Sequence, residues 1–208
     1  PRIVLQVGRM WSGYTGGSDG RFGRSRVRRW ESTLSSRHRR CAPGVVTVGL
    51  IALSLLTTGP AAADPVTLGG GSGIVVDGDT YCTLTTIGTD NRGDLIGFTS
   101  AHCGGPGAKV AAEAAKDAGP VGEMVAGNDG LDYAVIKFDP TRVTPTNNVN
   151  GFIIDGLGPD PRLGDIACKL GRTTGYSCGV TWGPGKDPGT IVNQVCGQPG
   201  DSGAPVTV

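Results

Sequence analysis

Charged and aromatic side chains are scarce in this 208-residue chain, at 18% and 5% of the residues. Glycine and proline are plentiful instead, with 37 and 14 copies. That mix works against long helices and suits short strands joined by tight turns. Histidine is nearly missing: of two in the chain, only His102 follows residue 40. There is no Cys-x-x-Cys spacing either, and with so little histidine no metal site is expected; nor is an organic cofactor. The apolar run Val45–Leu56 is about a dozen residues long, short of the roughly 20 that a transmembrane helix needs. Excess positive charge is also absent once the chain is divided. Residues 1–40 carry ten Arg against Asp19 and Glu31, whereas residues 41–208 carry nine Lys and Arg against sixteen Asp and Glu. The net +1 therefore reflects a basic tail on an acidic remainder and gives no reason to expect a nucleic-acid partner.

The tail ends in Arg37-His38-Arg39-Arg40, followed by the apolar run and then by Thr57-Thr58-Gly59-Pro60-Ala61-Ala62-Ala63-Asp64. A positive flank, a short apolar core and an A-x-A end are the parts of a secretory signal peptide. Cleavage is expected after Ala63; a retained anchor or a buried helix is the alternative. Residues 1–36 are long for the basic part of such a signal, and the chain does not begin with Met. The true start is expected further in, or the chain is incomplete at this end. Arg28-Arg29 lies too far from the apolar run to make a good twin-arginine signal. The reading is thus a basic, disordered or extraneous extension (1–36), a signal peptide (37–63) and a folded extracellular domain (64–208) with no membrane anchor after cleavage.

Export permits disulfides. Cysteines stand at 41, 82, 103, 168, 178 and 196. Cys41 falls in the signal segment, which leaves an odd number in the exported domain. An odd cysteine there asks for a missing partner or a second chain.

Bursts of β-forming residues predict strands near 73–77, 80–86, 94–99, 120–126 and 132–138. A second set is predicted near 165–170, 176–182, 190–195 and 203–208. Between the sets, residues 139–163 are rich in Pro, Asn and Gly and read as a connection, with the apolar patch Phe152-Ile153-Ile154 docking. Lys109–Asp117 is Ala-rich and locally favours helix, but an all-β surrounding overrides so weak a preference.

Three short stretches carry chemistry in order: Thr99-Ser100-Ala101-His102-Cys103, Leu131-Asp132-Tyr133-Ala134-Val135 and Gly200-Asp201-Ser202-Gly203. A serine hydroxyl is a poor nucleophile near neutral pH and needs a base beside it. Imidazole suits that role, because it takes the proton during attack and returns it to the leaving group. A buried carboxylate fixes the imidazole tautomer. A tetrahedral oxyanion needs donors, which the N–H groups of Gly200 and Ser202 would supply. Each piece alone is a common turn or strand start. Their order, strand context and export signal make the combination informative.

With Gly171-Arg172-Thr173-Thr174-Gly175-Tyr176-Ser177-Cys178-Gly179 and Cys196-Gly197-Gln198-Pro199-Gly200-Asp201-Ser202-Gly203 added, the chain from about Gly73 to Val208 resembles the chymotrypsin-like serine proteases. It is most similar to their bacterial secreted branch, the streptogrisins and α-lytic protease. The resemblance implies an all-β fold of two antiparallel six-stranded barrels with the active site between them. It implies a polypeptide substrate, a monomer, and the triad His102, Asp132 and Ser202. It further implies the bridges Cys82–Cys103 and Cys168–Cys178, and a buried pair between Asp201 and Lys169 that shapes the oxyanion loop. The family has Arg at the latter position, and Lys lacks the bidentate fork.

Other departures concern Ala204, where the family has a second glycine, and the short stretch Asp64–Ser72 where relatives have a long pro-segment. The chain also stops at Val208, where the family continues with strands that wall the specificity pocket and hold a partner for Cys196. The second barrel is accordingly expected to be incomplete and Cys196 an orphan, as in a fragment of an active protease. An encoded truncation is the alternative. The expected activity is that of a secreted serine endopeptidase. A catalytically inactive truncated homologue acting as a secreted binding protein is the rival. An esterase is a weaker third reading, since the α/β-hydrolase Gly-x-Ser-x-Gly elbow is absent.

Overall fold

Val, Ile and Thr gather in short runs between glycines, and those runs form the strands. The structure, a computed structural model, describes Ile3–Val4 and residues 64–208. The expected signal peptide and all but two residues of the basic extension lie outside the described residues. Strands β1 (Ile3–Val4), β2 (Val66–Leu68), β3 (Gly73–Val76), β4 (Thr80–Thr83), β5 (Thr86–Thr89) and β6 (Leu95–Thr99) come first. They are followed by β7 (Lys109–Ala112), β8 (Gly122–Asn128), β9 (Tyr133–Phe138), β10 (Val143–Pro145), β11 (Asn148–Val149) and β12 (Phe152–Ile153). Last come β13 (Ile166–Gly171), β14 (Gly175–Pro184), β15 (Ile191–Asn193) and β16 (Val206–Thr207). The helices among the described residues are two 3-10 turns, Ala101–Cys103 and Glu113–Ala118.

The first sheet runs β4-β3-β7-β8-β9-β6-β5 and is antiparallel throughout. It has seven segments where six strands were expected, because the predicted strand 80–86 breaks at Leu84-Thr85. Its first part pairs with β3 and its continuation pairs with β6. The two outer strands are therefore consecutive in the chain, and the sheet curls. Alternating burial along β6 and β9 turns Leu95, Ala134, Ile136 and Phe138 inward. They meet Ile74, Val76, Leu84, Val110 and Met124 in the main core. Gly97 and Gly122 sit where a Cβ would lie 2.8 Å from atoms of the Phe138 ring, so the core fills up to the backbone there.

Lys109–Asp117 resolves into both of its tendencies. Lys109–Ala112 is a strand because β3 and β8 flank it, and the 3-10 turn begins at Glu113. The connection 139–163 is more ordered than its composition implies. β10 pairs in parallel with β2. β11 and β12 form a hairpin around Asn150 and Gly151, both at positive φ (52° and 85°), the conformation of a tight Asn-Gly turn. In the patch expected to dock, Phe152 is buried with its ring edge-on to Tyr176 at 6.0 Å, while Ile153 is exposed.

The second sheet runs β1-β16-β13-β14-β15. β13 and β14 form its central hairpin, with Cys168 opposite Cys178. β1 pairs antiparallel with β16, Ile3 facing Thr207. The expected strand 203–208 shrinks to Val206–Thr207, because Gly203 turns at φ 84° and Pro205 follows. This sheet is less covered than the first: Ile166, Tyr176, Trp182 and Val192 are all exposed. No helix among the described residues is long and apolar enough to cross a membrane.

Candidate active site

His102 sits in the 3-10 turn that follows β6. Two bonds fix that turn to β4. Cys103 is bridged to Cys82, and the Thr99 hydroxyl donates to the Thr83 carbonyl at 2.8 Å. Asp132 stands at the entrance to β9, after a turn in which the Leu131 N–H donates to Asn128 Oδ1 at 2.9 Å. Its φ of 54° is in the left-handed region, which Asp tolerates better than most residues and which is often occupied at functional sites. The carboxylate is buried and lies 2.8 and 2.9 Å from His102 Nδ1 through its two oxygens. Oδ1 also accepts the His102 backbone N–H at 3.0 Å, which fixes the imidazole from two directions. On the other side of the ring, Nε2 lies 2.7 Å from Ser202 Oγ. The three residues lie 30 and 100 positions apart in the chain, and His102 joins Asp132 on one side of its ring to Ser202 on the other.

The serine loop is a pair of tight turns. The Asp201 N–H donates to the Gln198 carbonyl at 2.9 Å and the Ala204 N–H to the Asp201 carbonyl at 2.8 Å. Gly200 and Gly203 hold φ of 98° and 84°. A Cβ at Gly203 would also press on the Thr83 carbonyl and the Thr99 hydroxyl. Thr83 and Thr85 tie the loop to the first sheet. The Thr83 N–H donates to the Ser202 carbonyl (2.8 Å), the Thr83 hydroxyl to the Gly200 carbonyl (2.9 Å) and the Thr85 hydroxyl to the Gly203 carbonyl (2.6 Å). With these carbonyls turned to the threonines, the Gly200 and Ser202 N–H groups donate to no other residue among the described ones.

Asp201 is fully buried and takes five hydrogen bonds. Oδ1 accepts the N–H groups of Thr173 (2.9 Å) and Thr174 (3.1 Å). Oδ2 accepts the Thr174 hydroxyl (2.6 Å), the Gln198 N–H (3.1 Å) and Lys169 Nζ (3.2 Å). Burial pushes this carboxyl up, but the Thr174 hydroxyl and the three backbone N–H groups outweigh it and hold the pKa below its ordinary value. Lys169 is equally buried and also donates to the Thr174 hydroxyl and to the Gly175 carbonyl at 3.3 Å. Cys168 is bridged to Cys178 across the β13–β14 hairpin, one residue before Lys169. Cys196 is exposed and unbridged. Among the described residues, no group of three or more His, Cys, Asp or Glu is placed to hold a metal ion.

No family model matches the chain, and no curated protein matches it in sequence. Solved structures do match. Thermobifida fusca protease A superposes with a TM-score of 0.55 at 22% identity, over 69% of this chain and 78% of that one. Nocardiopsis protease gives 0.54 at 24%, over 68% and 79%. Cellulomonas bogoriensis chymotrypsin gives 0.52 at 28%, over 68% and 78%. The chain has the trypsin fold of the bacterial chymotrypsin-like serine proteases. At the level of the family, the likeness supports a protease.

Within this fold, the sequence motifs point to His102, Asp132, Gly200 and Ser202, and the resemblance adds Asp201 and Lys169; the fold brings all six into one region around the serine loop. The motifs did not indicate Thr83 and Thr85, whose hydroxyls reach the serine loop across 117 and 118 residues of sequence. Nor did they indicate Glu113, which forms an ion pair with Arg172 across 59 residues. Threonines on alternate positions read as ordinary strand residues, and only the curl of the sheet aims them at the serine loop. Ala204 does not have a positive φ, unlike Gly203, so its methyl group is accommodated.

Proposed function

We propose that the chain is an extracellular serine endopeptidase acting on polypeptides through an acyl-enzyme, with residues 64–208 as its catalytic domain, folded as a monomer. The observation that carries this reading is the 2.7 Å approach of Ser202 Oγ to His102 Nε2, on a ring held at Nδ1 by buried Asp132. Ser202 Oγ attacks the scissile carbonyl carbon while its proton passes to Nε2. Asp132 keeps Nδ1 protonated and facing it, and stabilises the imidazolium that forms. The carbonyl oxygen becomes an oxyanion and takes hydrogen bonds from the N–H groups of Gly200 and Ser202. Collapse expels the amine, which takes the proton from Nε2 and leaves an ester on Ser202. Water, activated by the same imidazole, cleaves that ester and regenerates the serine. Asp201 and Lys169 act from behind the loop, fixing the peptides that carry the two donors. Two disulfides support an extracellular setting.

The test is turnover by the full chain of a fluorogenic peptide amide and its matched ester. Wild type is expected to cleave both, and His102→Ala to lose about 10⁴-fold or more in kcat. Ester cleavage without amide cleavage would move the reading to an esterase. Peptide binding without turnover would move it to a binding protein on the same fold.

A further inference from the structure

Arg172 lies in the tight turn between β13 and β14, and its guanidinium packs against the serine loop. A Cβ built on Gly200 would stand 2.7 Å from Arg172 Nη1 and 3.4 Å from its Cδ, so the arginine side chain forms one wall of the Gly200 backbone. Nη1 donates to the Thr173 hydroxyl at 3.1 Å, and that hydroxyl donates to the Pro199 carbonyl at 2.8 Å. The Arg172 N–H donates to the Thr83 hydroxyl at 3.1 Å, the same hydroxyl that donates to the Gly200 carbonyl. Both peptides flanking the Gly200 backbone are therefore tied to this one residue.

What aims the guanidinium comes from the other sheet. Nε donates to Glu113 Oε2 at 2.7 Å and Nη2 to Oε1, a bidentate pair, while the Tyr81 ring lies 4.9 Å from the guanidinium carbon. Glu113 opens the 3-10 turn after β7, and Gly73 beneath it leaves room for the carboxylate where a Cβ would collide. We infer that Glu113 is a positioning residue for the oxyanion loop, acting through Arg172 to hold the Gly200 peptide. This rests on the protease reading above. The fork is needed because a planar guanidinium held at two points has a fixed orientation, which a lysine ammonium does not. The pair is partly exposed, at 22% and 32%, so it adds little to stability. Its effect is expected in the chemistry.

The test compares full-length wild type, Glu113→Gln and Arg172→Lys in three measurements: kcat and KM on a peptide amide, affinity for a peptide boronate, and Tm. A boronate forms a tetrahedral adduct on the serine with one oxygen at the oxyanion donors. A misplaced donor should cost less than a deleted one, so Glu113→Gln is expected to lower kcat and weaken boronate binding about tenfold. KM should move less than about twofold, because ground-state binding is not involved. Arg172→Lys should behave alike, and the double variant should lose no more than the worse single variant. Equal kcat and equal boronate affinity in Glu113→Gln and active wild type would overturn the inference alone, as would a loss that follows Tm and raises KM in proportion. Wild type that neither turns over nor binds boronate would overturn the protease reading, and this inference with it.

Discussion

Lys169 Nζ lies 3.2 Å from Asp201 Oδ2, with 1% and 0% of the two side chains exposed. A buried cation beside a buried carboxylate is costly to break, because the survivor keeps its desolvation penalty. Lys169→Ala should therefore lower the unfolding free energy by about 3–5 kcal/mol. Urea unfolding measures this. The lower end is the more reasonable figure, since Asp201 would keep four other donors. A change within about 0.5 kcal/mol, with unaltered activity, would mean that the pair has no structural role.

The same carboxylate sets an acid limit. Its pKa is lowered in the fold, because the Thr174, Thr173 and Gln198 donors outweigh the effect of burial. A group of this kind contributes stability that is complete above its unfolded value near 4 and is lost as pH falls through the folded value. Unfolding free energy should therefore fall with decreasing pH below about 4, and Asp201→Asn should show a shallower fall. Parallel pH curves for the two proteins would contradict this.

Glycine is required at 203 and not at 204. Gly203→Ala would force a side chain into the left-handed region and against the Thr83 carbonyl, so it should destabilise by more than about 1 kcal/mol. Ala204→Gly should change stability by no more than about 1 kcal/mol. Thermal unfolding of both variants decides the point; similar losses in the two would contradict it.

The residues of the candidate site were legible in the sequence, because His102, Asp132 and Ser202, which the fold brings together, each sit in a short motif. The Lys169–Asp201 pair was expected only through the resemblance to chymotrypsin-like proteases, since neither residue's own neighbourhood points to the other. Thr83, Thr85 and Glu113 were not legible. Their side chains bond to partners 59 to 118 residues away, and nothing in their own neighbourhoods distinguishes them from ordinary strand and turn residues. Strand positions such as Gly73–Val76 and Tyr133–Phe138 followed from β-forming runs. The break at Leu84-Thr85 did not, because it is imposed by the curl of the sheet and not by a glycine or proline at that point. The hairpin around Asn150-Gly151 carried a visible turn signal, but its strands are only two residues each, too short for a periodic pattern.

Ser202 is proposed to be a nucleophile activated by His102. The most direct measurement is the intact mass of the full chain after exposure to diisopropyl fluorophosphate, for wild type and for Ser202→Ala. A single phosphoryl adduct on wild type that maps to Ser202 and is missing from Ser202→Ala is the expected result. No adduct on folded wild type, or an adduct that survives Ser202→Ala, would contradict the claim.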